Sequence, residues 1–188
     1  MIKRRGQVVI DKILDTAEHL FYTQGYHNTG INQIIEEADI AKASLYKHFT
    51  SKADLMVAYL ERFHRVWYER LENAVARVDD PKQKLLAVLD HHKERQKIRE
   101  NGGCPLIKAN GETSGEDPRI LAEIQSAKSR LKKFIAKLVA NSNHKQIVNN
   151  TELTEMVFLM LEGGVAIGSV YKNGADLSNA KKIIEKFI

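Results

Sequence analysis

Apolar side chains recur every three to four positions along nearly all of this 188-residue chain, which is the period of an α-helix. The first run shows the pattern clearly, since Val9, Ile13, Ala17, Leu20 and Phe21 form one apolar stripe. The chain contains three prolines and lacks the alternation of β-branched and polar residues that is typical of strands. The sequence therefore predicts an all-α fold of about nine helices.

Capping residues and helix breakers set the predicted bounds. Thr29, Ser51 and Asp80 are suited to N-cap three helices, and either Thr151 or Thr154 is suited to N-cap the eighth. The segment GETSGEDP has the composition of a loop. A functional boundary near residue 50 divides the chain into domains 1–50 and 51–188, with one helix belonging to both. The predicted helices span residues 8–23, 30–38, 41–49, 52–78, 81–100, 105–110, 118–141, 151–172 and 176–188.

Composition narrows the classes of protein to consider. The net charge of +5 and the pI near 9.2 fit a nucleic-acid partner without requiring one. A single cysteine excludes an internal disulfide framework, which favours a cytoplasmic location. No apolar run approaches the roughly 20 residues that span a bilayer, so we expect no membrane association.

Enzyme motifs are absent from the sequence. It contains no nucleophile elbow, no HExxH, no P-loop and no dinucleotide fingerprint. The His91-His92 pair lacks the spacing of a metal site built with cysteines. We therefore expect no catalytic activity, no cofactor and no metal.

Two short helices, 30–38 and 41–49, are joined by a tight turn, which is the helix-turn-helix arrangement. In that arrangement the second helix lies in a major groove about 12 Å wide. Apolar residues would face the core, namely Ile34, Ile35, Ile40, Leu45 and Phe49. Hydrogen-bonding side chains would face outward, namely Lys42, Ser44, Tyr46, Lys47 and His48. Two ordinary core helices with a polar outer face fit these residues equally well.

A longer pattern surrounds this pair of helices. The stretch ILDTAEHLFYTQGYHNTGINQIIEEADIAKASLYKHFTSKADLM has Gly25-Tyr26 after the first helix and Leu45-Tyr46-x-His48-Phe49 at the end of the third. Lys52-x-x-Leu55 then opens the long fourth helix. Residues 8–56 resemble the DNA-binding domain of the TetR family of bacterial transcriptional repressors in all these landmarks. The rest of the chain is similar to that family only in length and helix count.

The resemblance implies a role for each matching residue. Contacts to phosphate would come from Tyr46, His48 and Lys52, and from Thr29 and Gly30 at the start of the second helix. Contacts to base edges would come from Lys42, Ala43 and Ser44, with Gln33 reaching in from the second helix. Lys47 differs from the residue common in the family, so its target stays open between base and phosphate. The arm formed by Lys3, Arg4 and Arg5 would either enter a minor groove or remain unordered.

The resemblance also implies a homodimer that binds double-stranded, palindromic operator DNA and responds to a small molecule. The apolar helix MVFLMLEGGVAIGSV and the last helix would form the dimer interface, although an intrachain core helix explains the same composition. The predicted interface residues are Phe158, Leu161, Gly164, Val165, Gly168, Ile183, Ile184 and Phe187. The predicted effector-binding residues, each also explained by core packing, are Phe63, Trp67, Tyr68, Leu89, His92, Gln96, Cys104, Ile107 and Met160.

Cys104 suggests one class of effector. Pro105 suits the first position of a helix, which puts the Cys104 thiol at the positive helix end, one turn from Lys108. Such a thiol would have a lowered pKa and would react with electrophiles or oxidants, whereas an inert, apolar cysteine is the alternative. The predicted function is a repressor released by such an effector. The alternative is a helix-turn-helix activator or protein-interaction scaffold that has no small-molecule effector.

Overall fold

The computed structural model describes residues 2–100, 102–113, 115–144 and 147–188, with side chains described from residue 6 onward. The predicted basic arm of Lys3, Arg4 and Arg5 therefore has its side chains outside the described part. Within the described ranges the chain forms helices and no strands, which confirms the all-α prediction. The helices are α1 (Ile2–Thr23), α2 (Ile31–Glu37), α3 (Lys42–His48), α4 (Lys52–Ala76), α5 (Pro81–Ile98), α6 (Pro105–Thr113), α7 (Pro118–Asn141), α8 (Asn150–Tyr171) and α9 (Ala175–Ile184).

Two of the predicted N-caps are confirmed. The Ser51 hydroxyl accepts a hydrogen bond from the Asp54 N–H at 3.0 Å, where α4 begins. The Asp80 carboxylate accepts one from the Gln83 N–H at 2.8 Å, ahead of Pro81. These caps join residues three apart, so local sequence alone determines them.

The other predicted caps are wrong. Thr29 does not cap α2, because its hydroxyl donates to the Gly25 carbonyl at 2.7 Å and Gly30 holds the N-cap position. Neither Thr151 nor Thr154 caps α8, because Asn149 and Glu152 form a reciprocal capping box.

The predicted loop GETSGEDP is wrong in its first part. Helix α6 continues through Gly111, Glu112 and Thr113, instead of ending at Asn110. The Thr113 hydroxyl donates to the Ala109 carbonyl at 2.7 Å and stays buried, which stabilises the added turn. Ser114 lies outside the described residues.

The chain divides into two compact units. Unit 1 comprises Met1–Arg65 and Pro105–Gln125, and unit 2 comprises Val66–Cys104 and Ser126–Ile188. Helices α4 and α7 each contribute their first part to unit 1 and the remainder to unit 2. The predicted division into residues 1–50 and 51–188 stays a prediction.

The core of unit 1 holds α1, α2 and α3 together. Helix α1 packs against both α2 and α3, and α2 packs against α3. Ile13 and Ala17 of α1, Ile34 of α2 and Leu45 of α3 are each fully buried. Burying each of these isoleucine or leucine side chains stabilises the fold by about 1.5–3 kcal/mol, so this core fixes the three helices as one body.

The core of unit 2 is built on packing among α5, α8 and α9. Leu85, Val157, Leu161 and Ile184 are fully buried there. Helix α8 is long and apolar enough to cross a membrane by length and composition alone, which amends the expectation that no segment reaches that length. Buried core helices pass the same test, and Leu153, Val157 and Leu161 of α8 lie in this core.

Candidate DNA-binding surface and effector region

Helix α3 has a buried side and an exposed side. Leu45 has no exposed surface and Phe49, at the end of the helix, is 7% exposed, so these two side chains anchor α3. Ile34 is buried as well, whereas Ile35 and Ile40 are half-buried. On the opposite side the four exposed residues are Lys42, Ala43, Tyr46 and Lys47, and Ser44 and His48 are half-buried beside them.

The turn before α3 determines how this face is presented. Asp39 adopts a φ of 51°, and the Ile40 N–H donates to the Ile35 carbonyl at 3.2 Å. Asp is one of the few residue types that tolerate this left-handed conformation. The turn therefore redirects the chain within three residues, and α3 leaves it with its polar face outward.

The predicted contacts from the start of α2 are only partly available. The Thr29 side chain is 1% exposed and its hydroxyl donates to the Gly25 carbonyl, so a phosphate at this helix end would be bound by backbone N–H groups, and the assignment stays a prediction. Gly30 is exposed and leaves the first N–H groups of α2 without a side-chain cap. The Gln33 amide donates to Gln24 at 3.2 Å and to Glu37 at 2.9 Å, so DNA would have to compete with these acceptors.

Lys52, predicted to contact phosphate, lies over an aromatic ring. Its Nζ is 4.2 Å from the centroid of the Tyr26 ring, which is a cation–π contact. Partial burial lowers the Lys52 pKa, and the carboxylates of Glu116 and Glu112 act against that shift. The ammonium is therefore held close to the protein, and a phosphate contact would require its side chain to extend.

The predicted effector residues do not form one set. Phe63 and Ile107 belong to unit 1, and Ile107 is 52% exposed. The other seven belong to unit 2. Among them Leu89 is 1% exposed within the core cluster, and Met160 packs against that cluster. These two positions are explained by core packing.

Aromatic and polar groups of unit 2 meet along one side of α5. The Trp67 and His92 rings are 4.9 Å apart in an edge-to-face arrangement. The His92 Nδ1–H donates to the Val88 carbonyl at 2.7 Å, and burial lowers the His92 pKa to about 3. One turn later the Gln96 amide donates to the Val165 carbonyl at 2.7 Å, so α5 is bonded directly to α8.

The face of the Tyr68 ring is covered by a cationic side chain of the same protein. The guanidinium of Arg130 lies 3.5 Å from the centroid of the Tyr68 ring, and the Phe134 ring meets Tyr68 edge-to-face at 5.6 Å. Tyr68 is only 5% exposed. A role in effector binding would require Arg130 to move.

Cys104 has a different cationic partner from the one predicted. Lys108 donates to the Tyr22 carbonyl at 2.7 Å, so its assignment to the thiol is wrong. The Lys128 ammonium instead donates to the Cys104 Sγ at 3.5 Å and to the Glu162 carboxylate at 2.6 and 2.7 Å. Burial disfavours the charged form of Lys128, but the neighbouring Cys104 and Glu162 outweigh it and raise the Lys128 pKa. Sequence spacing could not reveal this partner, which is 24 residues away.

Five of the eight predicted interface residues face the inside of the chain. Leu161 and Ile184 are fully buried and belong to the core cluster of unit 2. A Cβ on Gly164 would lie 2.8 Å from Leu177, and one on Gly168 would lie 2.7 Å from the Asn173 carbonyl oxygen. The close approach made by these glycines is therefore to the chain's own α9 and the turn before it. The five reassigned residues are Leu161, Gly164, Val165, Gly168 and Ile184.

The opposite side of α8 is exposed and apolar. We call it the α8 stripe, and it consists of Leu159, Gly163, Ala166, Ile167 and Val170. The spacing of these residues places them on one helical face. Leu159 is 63% exposed and Val170 is 70% exposed, and a Cβ on Gly163 would meet no atom within 4 Å. The stripe could not be identified from the sequence because α8 carries apolar residues around most of its circumference.

Three predicted interface residues retain exposed surface. Ile183 of α9 is 41% exposed, and Phe158 and Phe187 are half-buried. Their assignment to an interface stays a prediction.

Among the described residues, no group of three or more His, Cys, Asp or Glu side chains could hold a metal ion.

Sequence comparisons find related proteins. Residues 13–59 match the family model described as bacterial regulatory proteins, tetR family. The HTH-type transcriptional regulator LmrA of Bacillus subtilis is 28% identical over 177 residues, which cover 93% of this chain and 93% of the relative. An uncharacterized HTH-type transcriptional regulator in the lacX 3′ region of Lactococcus lactis is 25% identical over 159 residues, which cover 84% of this chain and 81% of the relative.

A comparison with solved structures finds the same fold. The reduced form of Escherichia coli NemR superposes with a TM-score of 0.83, covering 96% of each chain at 18% sequence identity. At this identity the likeness shows the fold alone. It extends over both units, whereas the family model covers the part that contains α2 and α3.

Proposed function

Because the chain belongs to the TetR family of bacterial regulatory proteins, we propose that it represses transcription by binding a palindromic operator as a homodimer. The observation that supports this most strongly is α3, which exposes Lys42, Ala43, Tyr46 and Lys47 while Leu45 anchors it in the core. A helix presented in this way fits a major groove. One such helix reads only a few base pairs, so a two-fold dimer that reads two half-sites gives useful specificity.

The exposed side of α3 supplies side chains of different reach. Lys42 reads guanine O6 and N7, and the Ala43 methyl contacts a thymine methyl. Tyr46 and His48 bind phosphate, which positions the helix without reading sequence. Ser44, half-buried between them, contributes a short hydroxyl at the base edges.

The α8 stripe is the surface that we assign to the dimer contact. An exposed apolar face of this kind on a soluble regulator is stabilised by pairing with a second copy of itself. Gly163 lets two α8 helices approach closely, and Ile183 of α9 extends the apolar surface. Two such helices from each protomer make a four-helix bundle.

The effector site lies in unit 2, and the thiol of Cys104 is its reactive group. The Lys128 ammonium, which is paired with the Glu162 carboxylate, donates a hydrogen bond to the half-buried sulfur. With an activated alkene, the S–C bond forms as the π bond of the alkene breaks and the C–C single bond remains, and the thiol proton ends on the neighbouring carbon. The structural relative NemR was solved in a reduced form, which supports testing oxidants as a second class.

Release from DNA follows as a shift between two populations of the dimer. The effector favours dimers whose α3 helices are wrongly spaced for half-sites about 34–36 Å apart. Helices α4 and α7 and the Cys104-Pro105 bond carry the chain from one unit into the other. These three connections are the routes by which a change in unit 2 reaches α3.

Selection of genomic DNA fragments by the purified protein tests the proposal. The expected result is a palindromic site bound by two protomers, with an affinity that falls steeply with salt because phosphate contacts release counterions. Treatment with an alkylating electrophile should then weaken binding by the wild-type protein and leave Cys104→Ser unaffected. Salt-insensitive binding, or selection of fragments with no common site, would contradict the proposal.

A further inference from the structure

Helix α6 and the start of α7 each contact the part of unit 1 that contains α2 and α3. Lys108 and Glu112 are four residues apart on α6, so they share one helical face. Both bond to backbone groups at the end of α1 and in the turn that follows it. The Lys108 ammonium donates to the Tyr22 carbonyl at 2.7 Å and lies 4.5 Å from the centroid of the Tyr22 ring.

Glu112 occupies a concave site made by backbone amides. Its carboxylate accepts hydrogen bonds from the Tyr26 N–H and, at 3.3 Å, from the His27 N–H. The His27 Nε2–H donates in turn to the Glu112 carbonyl at 2.6 Å. Successive N–H groups that converge on one carboxylate form a strong, charge-assisted anion site.

Gly25 leaves room for this carboxylate because it has no Cβ. Its φ of +91° lies in the region that favours glycine, and a Cβ there would be 2.7 Å from a Glu112 oxygen. The same turn carries the Thr29 hydroxyl, which bonds to the Gly25 carbonyl. The turn that leads to the start of α2 is therefore folded around the Glu112 carboxylate.

The second of these contacts is at the start of α4. Arg119 donates to the Asp54 carboxylate at 2.8 Å and to the Asp117 carboxylate at 2.7 Å. A hydrogen bond from Thr50 and the Arg119 guanidinium together lower the Asp54 pKa to about 2. Thr50 and Asp54 flank the junction between α3 and α4, so this contact fixes the other end of the helix-turn-helix.

We infer that Glu112 is a positioning residue for operator binding, supported by Lys108 at the end of α1 and by Arg119 at the start of α4. These contacts hold both ends of the segment that contains α2 and α3 in the geometry that binds DNA. The inference rests on the proposed function, since the geometry matters only if α3 reads an operator. It assigns a role to α6 that needs no contact between these three side chains and DNA.

The test compares full-length Glu112→Ala and Glu112→Gln with wild type. Operator affinity is measured by fluorescence anisotropy with the selected duplex, and amide exchange is measured for residues 24–30. Loss of a charge-assisted acceptor for two N–H groups should weaken binding by about tenfold in the alanine variant. The glutamine variant keeps an acceptor oxygen and should lose less. Glu94→Ala, which removes an exposed carboxylate from α5, is the matched control and should bind like wild type.

Amide exchange distinguishes positioning from a general loss of stability. Exchange should rise at Tyr26 and His27 in Glu112→Ala and stay unchanged in the core of unit 2. If that variant does not fold, Glu112→Gln and Arg119→Gln decide the question through the same two measurements. Wild-type affinity in these variants would overturn the inference. If the wild-type protein selects no duplex at all, the proposed function is overturned instead, while the exchange result still reports on the contacts of Glu112.

Discussion

Truncation of Ile167 to alanine should weaken the proposed homodimer by a predictable amount. Ile167 is 45% exposed on the α8 stripe. Full burial of an isoleucine side chain is worth about 1.5–3 kcal/mol, so covering the exposed part is worth about 1 kcal/mol in each protomer. Two-fold symmetry doubles the effect to about 2 kcal/mol, which raises the dimer dissociation constant roughly 30-fold.

Sedimentation velocity over a dilution series measures this dissociation constant directly. Ile98→Ala is the matched control, because Ile98 is 58% exposed on α5 and lies outside the α8 stripe. The same truncation there should leave dimerisation unchanged. Gly163→Leu adds bulk to an open position on the stripe and should weaken the dimer further than Ile167→Ala. Equal dissociation constants for wild type, Ile167→Ala and Ile98→Ala would refute the assignment of the interface.

Three further predictions concern DNA reading, the thiol and pH. Tyr46→Phe should weaken binding to all duplexes about equally, because it removes a phosphate contact, whereas Lys42→Ala should relax preference at one base pair by about 1–3 kcal/mol. Titration of cognate and scrambled duplexes distinguishes the two effects. Equal losses on both duplexes for both variants would contradict these roles. Alkylation of Cys104, followed by intact mass and operator titration, should reduce affinity, and unchanged affinity of the fully alkylated protein would exclude the thiol as sensor. Burial lowers the His92 pKa from 6.5 to about 3, so the unfolded chain binds more protons below pH 6.5 and stability should fall as the pH drops from 6.5 towards 3. Thermal melting of wild type and His92→Gln across this range checks the sign, since the variant should lose less stability.

Local sequence was sufficient to predict two helix starts and the exposed face of α3. Ser51 and Asp80 cap helices through groups only three residues away, so their roles follow from short-range chemistry. The alternation of buried and exposed positions on α3 likewise follows from helical periodicity around Leu45. Thr29 was misassigned because two local partners compete for its hydroxyl, and the Gly25 carbonyl is the one that it bonds.

Contacts between distant residues explain what the sequence could not predict. Glu112 lies in a stretch with loop composition, and it bonds amides that are 85 and 86 residues away. Lys128 reaches Cys104 from another helix, so proximity in sequence pointed to Lys108 instead. Helix α8 is apolar around most of its circumference, and only the packing of α5 and α9 against it shows which face is left exposed.

Footprinting of the selected duplex tests the central claim most directly. The account predicts two protected half-sites, related by two-fold symmetry and centred one helical turn or a multiple of it apart, with two protomers bound per pair of half-sites. Lys42→Ala should relax base preference at the same position in both half-sites. A single protected site bound by one protomer, or uniform protection along the duplex, would contradict the account.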